Sequence, residues 1–316
     1  MNSIKHVIPP IPREKLEAEL TKEMFVRNTN KGHNKIYDFS ANESPYLMLE
    51  VGRLRELTFR AAGGGTGKEI DIDEFDVSKI PYRQLIVWDP NAKEILGGYR
   101  YIMGNKLKPV KEDISLLATA ELFHFSKKFI EEYLPYTIEL GRSFVQPNYQ
   151  SSKVGSKSLF ALDNLWDGLG SLIVNNPEMK YFFGKVTMYA DYNQEARDLI
   201  QIFMDIYFRD TQKLVYPIDA VKTQVEEKIV RKMFRCNNFS DDYKLLSKKV
   251  RELGENIPPL FNAYMSLSPT MKTFGAAVNE NFGGVEETGI ILTIKELYEA
   301  KVDRHINTYN PNDLHE

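Results

Sequence analysis

Thr137-Ile-Glu-Leu-Gly-Arg-Ser-Phe-Val-Gln-Pro-Asn-Tyr149 runs as an apolar strand that carries one acid, Glu139, and one base, Arg142, before it breaks at Pro147. Lys153-Val-Gly-Ser-Lys157 follows, with a small-residue turn at Gly155-Ser156 and an amphipathic helical pattern behind it. A strand that stops and hands over to a helix N-terminus exposes backbone N–H groups. Such groups bind phosphate oxygens and the carbonyl oxygen of a thioester.

Composition narrows the classes around that element. The chain has 316 residues, 42% of them hydrophobic, enough for a substantial core in one large or two small domains. A charged fraction of 27% and a net charge of −3 give no bulk polyelectrolyte attraction to nucleic acid. The lone cysteine, Cys236, excludes an internal disulfide and fits a reducing compartment. Pro9, Pro10 and Pro12 stand among charged residues where a signal core would need an apolar run. No window reaches the roughly 20 apolar residues of a spanning helix. A cytoplasmic protein is expected, with peripheral contact at the inner membrane face left open.

Residues 1–45 read as an N-terminal arm, Pro-rich and then helical around Glu14–Phe25. Leu47, Val51, Leu54 and Leu57 form one helical stripe that ends at the glycine cluster 63–67. Two strands, Tyr82–Asp89 and Leu96–Met103, flank Pro90-Asn91 as a hairpin. Ile114–Tyr133 is expected to be helical, as are Ser156–Leu172 and Asn193–Phe208. Lys180–Tyr189, Thr273–Val278 and Gly289–Ile294 are expected to be strands. This mixture predicts an α+β fold with a twisted mixed sheet. One domain spans residues 46–300, with a charged helical insertion at about 219–254 and a tail at 301–316.

The ordered set Arg53-Leu-Arg-Glu-Leu-Thr-Phe-Arg60, Gly64-Gly-Thr-Gly-Lys68, Asp71-Ile-Asp-Glu-Phe-Asp76, Gly97-Gly-Tyr-Arg100, Glu139-Leu-Gly-Arg-Ser-Phe144, Leu165-Trp-Asp-Gly-Leu-Gly170 and Ile257-Pro-Pro-Leu-Phe-Asn-Ala-Tyr264 resembles the haemolysin-like branch of the GNAT superfamily. These are N-acyltransferases of bacterial aminolipid synthesis, glycine-lipid and ornithine-lipid enzymes among them. The resemblance spans roughly residues 45 to 300. It implies transfer of a fatty acyl group, often 3-hydroxylated, from acyl carrier protein to the α-amine of an amino acid. The thioester on phosphopantetheine is then a co-substrate, and no metal or redox cofactor is needed.

By the same resemblance, the thioester carbonyl takes a backbone N–H near Phe144, Val145 or Gln146, and Glu139 is the base. The acceptor enters beside Arg55, Phe59, Asp73 and Asp76, while Arg142 or Arg100 binds its carboxylate or orients Glu139. Gly64 stands where many relatives carry an acid, and fewer acids beside the acceptor favour glycine over ornithine. An acyl-homoserine-lactone-like synthase and a non-catalytic carrier-binding protein are the alternatives.

Blander readings stand beside these. Gly63-Gly-Gly-Thr-Gly-Lys68 is not a nucleotide loop, because Ala62 replaces its first glycine and Glu69 its Ser or Thr. Glu139 and Arg142, three apart, point to opposite faces of a strand unless it is bulged. Glu139 reads equally as a base or as the buried partner of Arg100. The acids at 71–76 lack calcium-loop spacing; they either cap a solvated loop or receive an ammonium. Lys127, Lys128, Lys153 and Lys157 form either a solvated face or a docking surface for an acidic carrier. Cys236 has no histidine nearby in sequence, His124 is expected on a helix, and five scattered histidines lack metal-ligand spacing.

Overall fold

Apolar residues run or alternate along the chain's β-rich segments, and most of these segments meet in one eight-stranded sheet. The computed structural model describes residues 4–107, 115–150, 156–235 and 238–312, apart from the side chains of residues 156–159. In chain order the first elements are α1 (Arg13–Glu19), β1 (Phe25–Asn28), β2 (Lys35–Phe39), α2 (Pro45–Ala61), α3 (Glu74–Val77), β3 (Arg83–Asp89) and β4 (Glu94–Met103). Then come β5 (Phe123–Phe125), β6 (Thr137–Val145), α4 (Ser156–Asn175), β7 (Tyr181–Met188), α5 (Gln194–Phe208) and β8 (Val215–Pro217). The last are α6 (Glu227–Met233), α7 (Phe239–Glu252), α8 (Pro259–Met265), β9 (Lys272–Asn279), β10 (Val285–Thr293) and α9 (Glu299–His305).

Strand order is β1-β2-β3-β4-β6-β7-β10-β9, and β5 pairs separately with β8. Every pairing in the large sheet is antiparallel except β6 with β7. The expected α+β class and mixed sheet are therefore what the chain adopts. Strands β1 and β2, inside the stretch read as an arm, hydrogen-bond into the sheet beside β3.

The sheet has two unlike faces. One is covered by α4, α5, α7 and α8 around Leu140, Leu165, Phe182, Phe203 and Phe261. The other carries two separate apolar clusters. In one, α2 packs Leu47, Val51 and Leu54 against Ile86 and Phe144; in the other, β5 and β8 pack Phe123 and Val215 against Ile102 and Phe183. A band of charged side chains lies between them.

The helix expected over Ile114–Tyr133 does not form across the described residues 115–133. The chain instead makes a turn of 3-10 helix, then β5, then a single π turn at Phe129–Tyr133. Phe123 and Phe125 point the same way at spacing two, and β8 supplies the hydrogen bonds that make this a strand. His124 accordingly sits on β5, its ring 5.3 Å from Tyr216. Among the described residues no helix is long and apolar enough to cross a membrane.

Candidate active site

The parallel pair β6–β7 opens into a fork. Thr137 to Leu140 pair with Tyr181 to Gly184. Beyond that point β6 stays on β4 and β7 stays on β10. The opening coincides with a bulge, because Arg142 and Ser143 of β6 fill the interval that Tyr99 alone spans on β4. Arg142 takes φ 49°, a left-handed conformation that costs a side-chain-bearing residue energy and occurs where surrounding structure enforces it. The bulge turns Arg142 toward the charged band that Glu139 borders, the distortion that residues three apart require.

The band is a chain of alternating charges. Asp71 pairs with Arg142 at 2.9 Å, and Arg142 reaches Asp73 at 3.4 Å. Asp73 pairs with Arg100 at 2.6 Å, Arg100 with Asp76 at 3.2 Å, and Asp76 with Arg55 at 3.1 Å. Gln84 closes the end by accepting from Arg55 and donating to Asp76. Burial alone would raise the Asp76 pKa, but Arg55 and Arg100 hold it well below the usual carboxylate range. Asp73 and Asp76 also form the capping box of α3, which fixes both against the backbone.

Glu139 stands at the edge of this network without joining it. It pairs with Ile102 across the ladder, and Arg100 spends its ion pairs on Asp73 and Asp76. The expected Arg100–Glu139 ion pair is therefore absent. Glu139 is 2% exposed; its Oε1 accepts from the Thr119 N–H at 3.2 Å, and its Oε2 has no hydrogen-bond partner among the described residues. Burial pushes its pKa up to about 7, against the Tyr82 hydroxyl, Arg100, Lys185 and the Thr119 N–H, all of which favour the ionised form. A carboxyl poised near neutrality at the mouth of a strand fork can take a proton and return it.

Residues 54–158 match the acetyltransferase (GNAT) domain family. A glycine N(alpha)-acyltransferase of Phocaeicola vulgatus is 53% identical over 306 residues, covering 97% of this chain and 94% of that protein. One of Bacteroides thetaiotaomicron is also 53% identical, covering 97% of this chain and 91% of that protein. The chain belongs to the GNAT superfamily of N-acyltransferases. Two solved structures overlap more loosely. One is TofI in an apo form, with TM-score 0.38 and 10% identity over 88% of this chain and 98% of that one. The other is the CoA-dependent acyl-homoserine lactone synthase BjaI with SAM and isopentyl-CoA, with TM-score 0.35 and 13% identity over 86% and 89%.

Within this acyltransferase the sequence-derived residues take different places. Glu139, Arg100, Arg142, Asp73 and Asp76 converge on one band. Arg55 is 0% exposed, so it braces Asp76 and Gln84 from inside and offers no surface to a substrate. Phe59 is buried edge-to-face on Phe282, whose ring lies 4.3 Å below the Arg142 guanidinium.

The Gln146 N–H donates to the Leu96 carbonyl and its side chain to the Ile95 carbonyl, which removes it as a donor to a thioester. Phe144 is buried against α2. Since N–H directions alternate along a strand, the Val145 N–H faces the open edge of the fork. Lys153 and Gly155 lie outside the described residues, as does Cys236; Ser156 and Lys157 open α4. Lys127, paired with Glu131 at 3.7 Å, and Lys128 precede the start of β6, whereas residues 153 and 157 follow its end.

The glycine loop is not a phosphate cradle, because the buried Glu56 already accepts from the N–H groups of Thr66 and Gly67. At Gly64 a Cβ would lie 3.1 Å from the Tyr189 ring, which occupies the space an acid would need. Sequence reasoning missed Asp71 as the partner of Arg142, and also Gln84, Tyr82 and Lys185. The signal for the last was available, since a lysine in the apolar run Tyr181–Met188 is costly to bury without a task.

Proposed function

We propose that this N-acyltransferase moves a fatty acyl group from an acyl carrier protein thioester to the α-amine of glycine. The observation that carries the chemistry is Glu139, buried beside the fork at the edge of the charged band with a pKa near 7. Two relatives at 53% identity are glycine N(alpha)-acyltransferases, which supports glycine as the acceptor. The thioester lies in the fork between β6 and β7, its carbonyl oxygen receiving the Val145 N–H. The glycine ammonium gives a proton to Glu139, directly or through one water, and the freed amine attacks the thioester carbon. The C–S bond breaks as the amide forms, and the nitrogen's second proton leaves with the thiol.

An apolar groove of about 430 Å³, lined by Phe75, Ser78, Leu116 and Ala120 among others, flanks Thr119, the donor to Glu139, and offers the acyl chain a path. Asp71, Asp73 and Asp76 are neutralised by three arginines, so none of these buried or half-buried aspartates is left for the second ammonium of ornithine. Purified protein supplied with 3-hydroxyacyl carrier protein and equal glycine and ornithine should yield mainly N-acylglycine by mass spectrometry. A dominant N-acylornithine product would refute the acceptor assignment, and no reaction with any carrier-bound thioester would refute the donor.

A further inference from the structure

Lys185 is the first residue of β7 beyond its last pairing with β6, which places it where the fork opens. It shares a face with Phe183, the residue opposite Glu139, so Glu139 and Lys185 are diagonal neighbours on adjoining strands. Its side chain is 12% exposed, and its one ion pair among the described residues is with Glu287 at 3.2 Å. Glu287 does not depend on it alone, since Thr187 donates to it at 3.2 Å and Asn279 at 3.3 Å. A lysine ammonium has three donors, so two of those on Lys185 remain for a ligand. The three arginines nearby are matched by three aspartates.

We infer that Lys185 holds the carboxylate of the amino-acid acceptor while Glu139 faces its amine. This rests on the reading of the site as an amino-acid N-acyltransferase and adds the residue that recognises the acceptor's second charged group. Charge balance favours it. An amino-acid zwitterion enters with its ammonium beside Glu139 and its carboxylate on Lys185, adding no net charge to a buried site. When Glu139 takes the proton, the substrate becomes an anion and Lys185 remains as its counter-ion. Diagonal placement on adjoining strands suits an α-amino acid, whose amine and carboxylate share one carbon.

The test compares glycine with glycinamide, which keeps the amine and loses the carboxylate, in wild type, Lys185→Met, Lys185→Arg and the double variant Lys185→Met/Glu287→Gln. Lys185→Met should raise the KM for glycine on the order of 10²-fold, as loss of a desolvated charge partner does. The KM for the acyl thioester should stay unchanged, and the preference for glycine over glycinamide should collapse. Lys185→Arg should restore part of that preference. The double variant, which leaves no orphaned carboxylate, should keep the raised KM. Recovery of wild-type KM in the double variant, or an intact glycine preference in Lys185→Met, would overturn the inference. If wild type prefers another α-amino acid, the same comparison with that acid and its amide tests Lys185, while the glycine assignment falls separately.

Discussion

Glu139 carries opposite consequences for activity and stability. Its pKa is raised from 4.5 to about 7, chiefly by burial, so the folded protein holds a proton that the unfolded chain releases between those values. Stability is therefore greatest below pH 4.5 on this account, falls as pH rises to about 7, and levels off above. As a base, the same group needs pH above its pKa, so kcat/KM for the amino acid should rise with pH through an inflection near 7. Glu139→Gln keeps the shape and loses the basicity. Turnover should drop on the order of 10²-fold, while stability at pH 8 rises by up to about 3 kcal/mol. Chemical denaturation and a pH–rate profile on one preparation check both, and full activity in a folded Gln variant would leave Glu139 a structural role only. Arg55→Met tests the neighbouring network. It removes one of the two arginines that neutralise the buried Asp76 and should cost about 1–3 kcal/mol in urea unfolding.

The β6 bulge is the element on which the site depends, and two glycines permit it. A Cβ on Gly97 would lie 2.4 Å from the Phe144 carbonyl oxygen, and one on Gly98 would lie 2.8 Å from that of Leu85. Both obstacles are backbone, so a strand must shift for any side chain to fit. Gly97→Ala should therefore push β6 away from β4 at the point where the fork opens. We expect a loss of about 1–3 kcal/mol in stability, typical of overpacking, together with a raised KM for the acyl thioester. A variant with wild-type melting temperature and kinetics would show that β4 and β6 need not lie so close.

For the whole molecule the expectation concerns the proposed acyl carrier protein. The chain's net charge of −3 would repel an acidic carrier protein at long range, so docking needs a local basic surface. Lys153 and Lys157, the first lysines after β6 in the sequence, are the candidates for it. The KM for acyl carrier protein should rise with ionic strength while that for the amino acid, bound in a largely buried band, stays nearly flat. Equal salt dependence of both substrates would argue against docking through that surface.

Much of this was legible from sequence because it is local. The hairpin of β3 and β4 follows from apolar runs around a Pro-Asn turn, α2 and α5 from helical stripes, and the strand carrying Glu139 from its break at Pro147. Motif order carried the family, and the spacing of Glu139 and Arg142 meant that only a bulge could bring them to one face. What sequence could not supply was partnership between distant residues. The helix expected over 114–133 gave way to a strand because β8, some 90 residues on, completes its hydrogen bonds. Asp73 and Asp76 read as free acids because the arginines that neutralise them come from α2, β4 and β6. The Gln146 N–H looked available until β4 took it. Lys185 drew no notice in its apolar run, since its meaning comes from the parting of two strands that only the assembled sheet creates. Periodicity and motif report what a segment prefers, but the charge and hydrogen bonding of a buried group are set by whatever the fold brings against it.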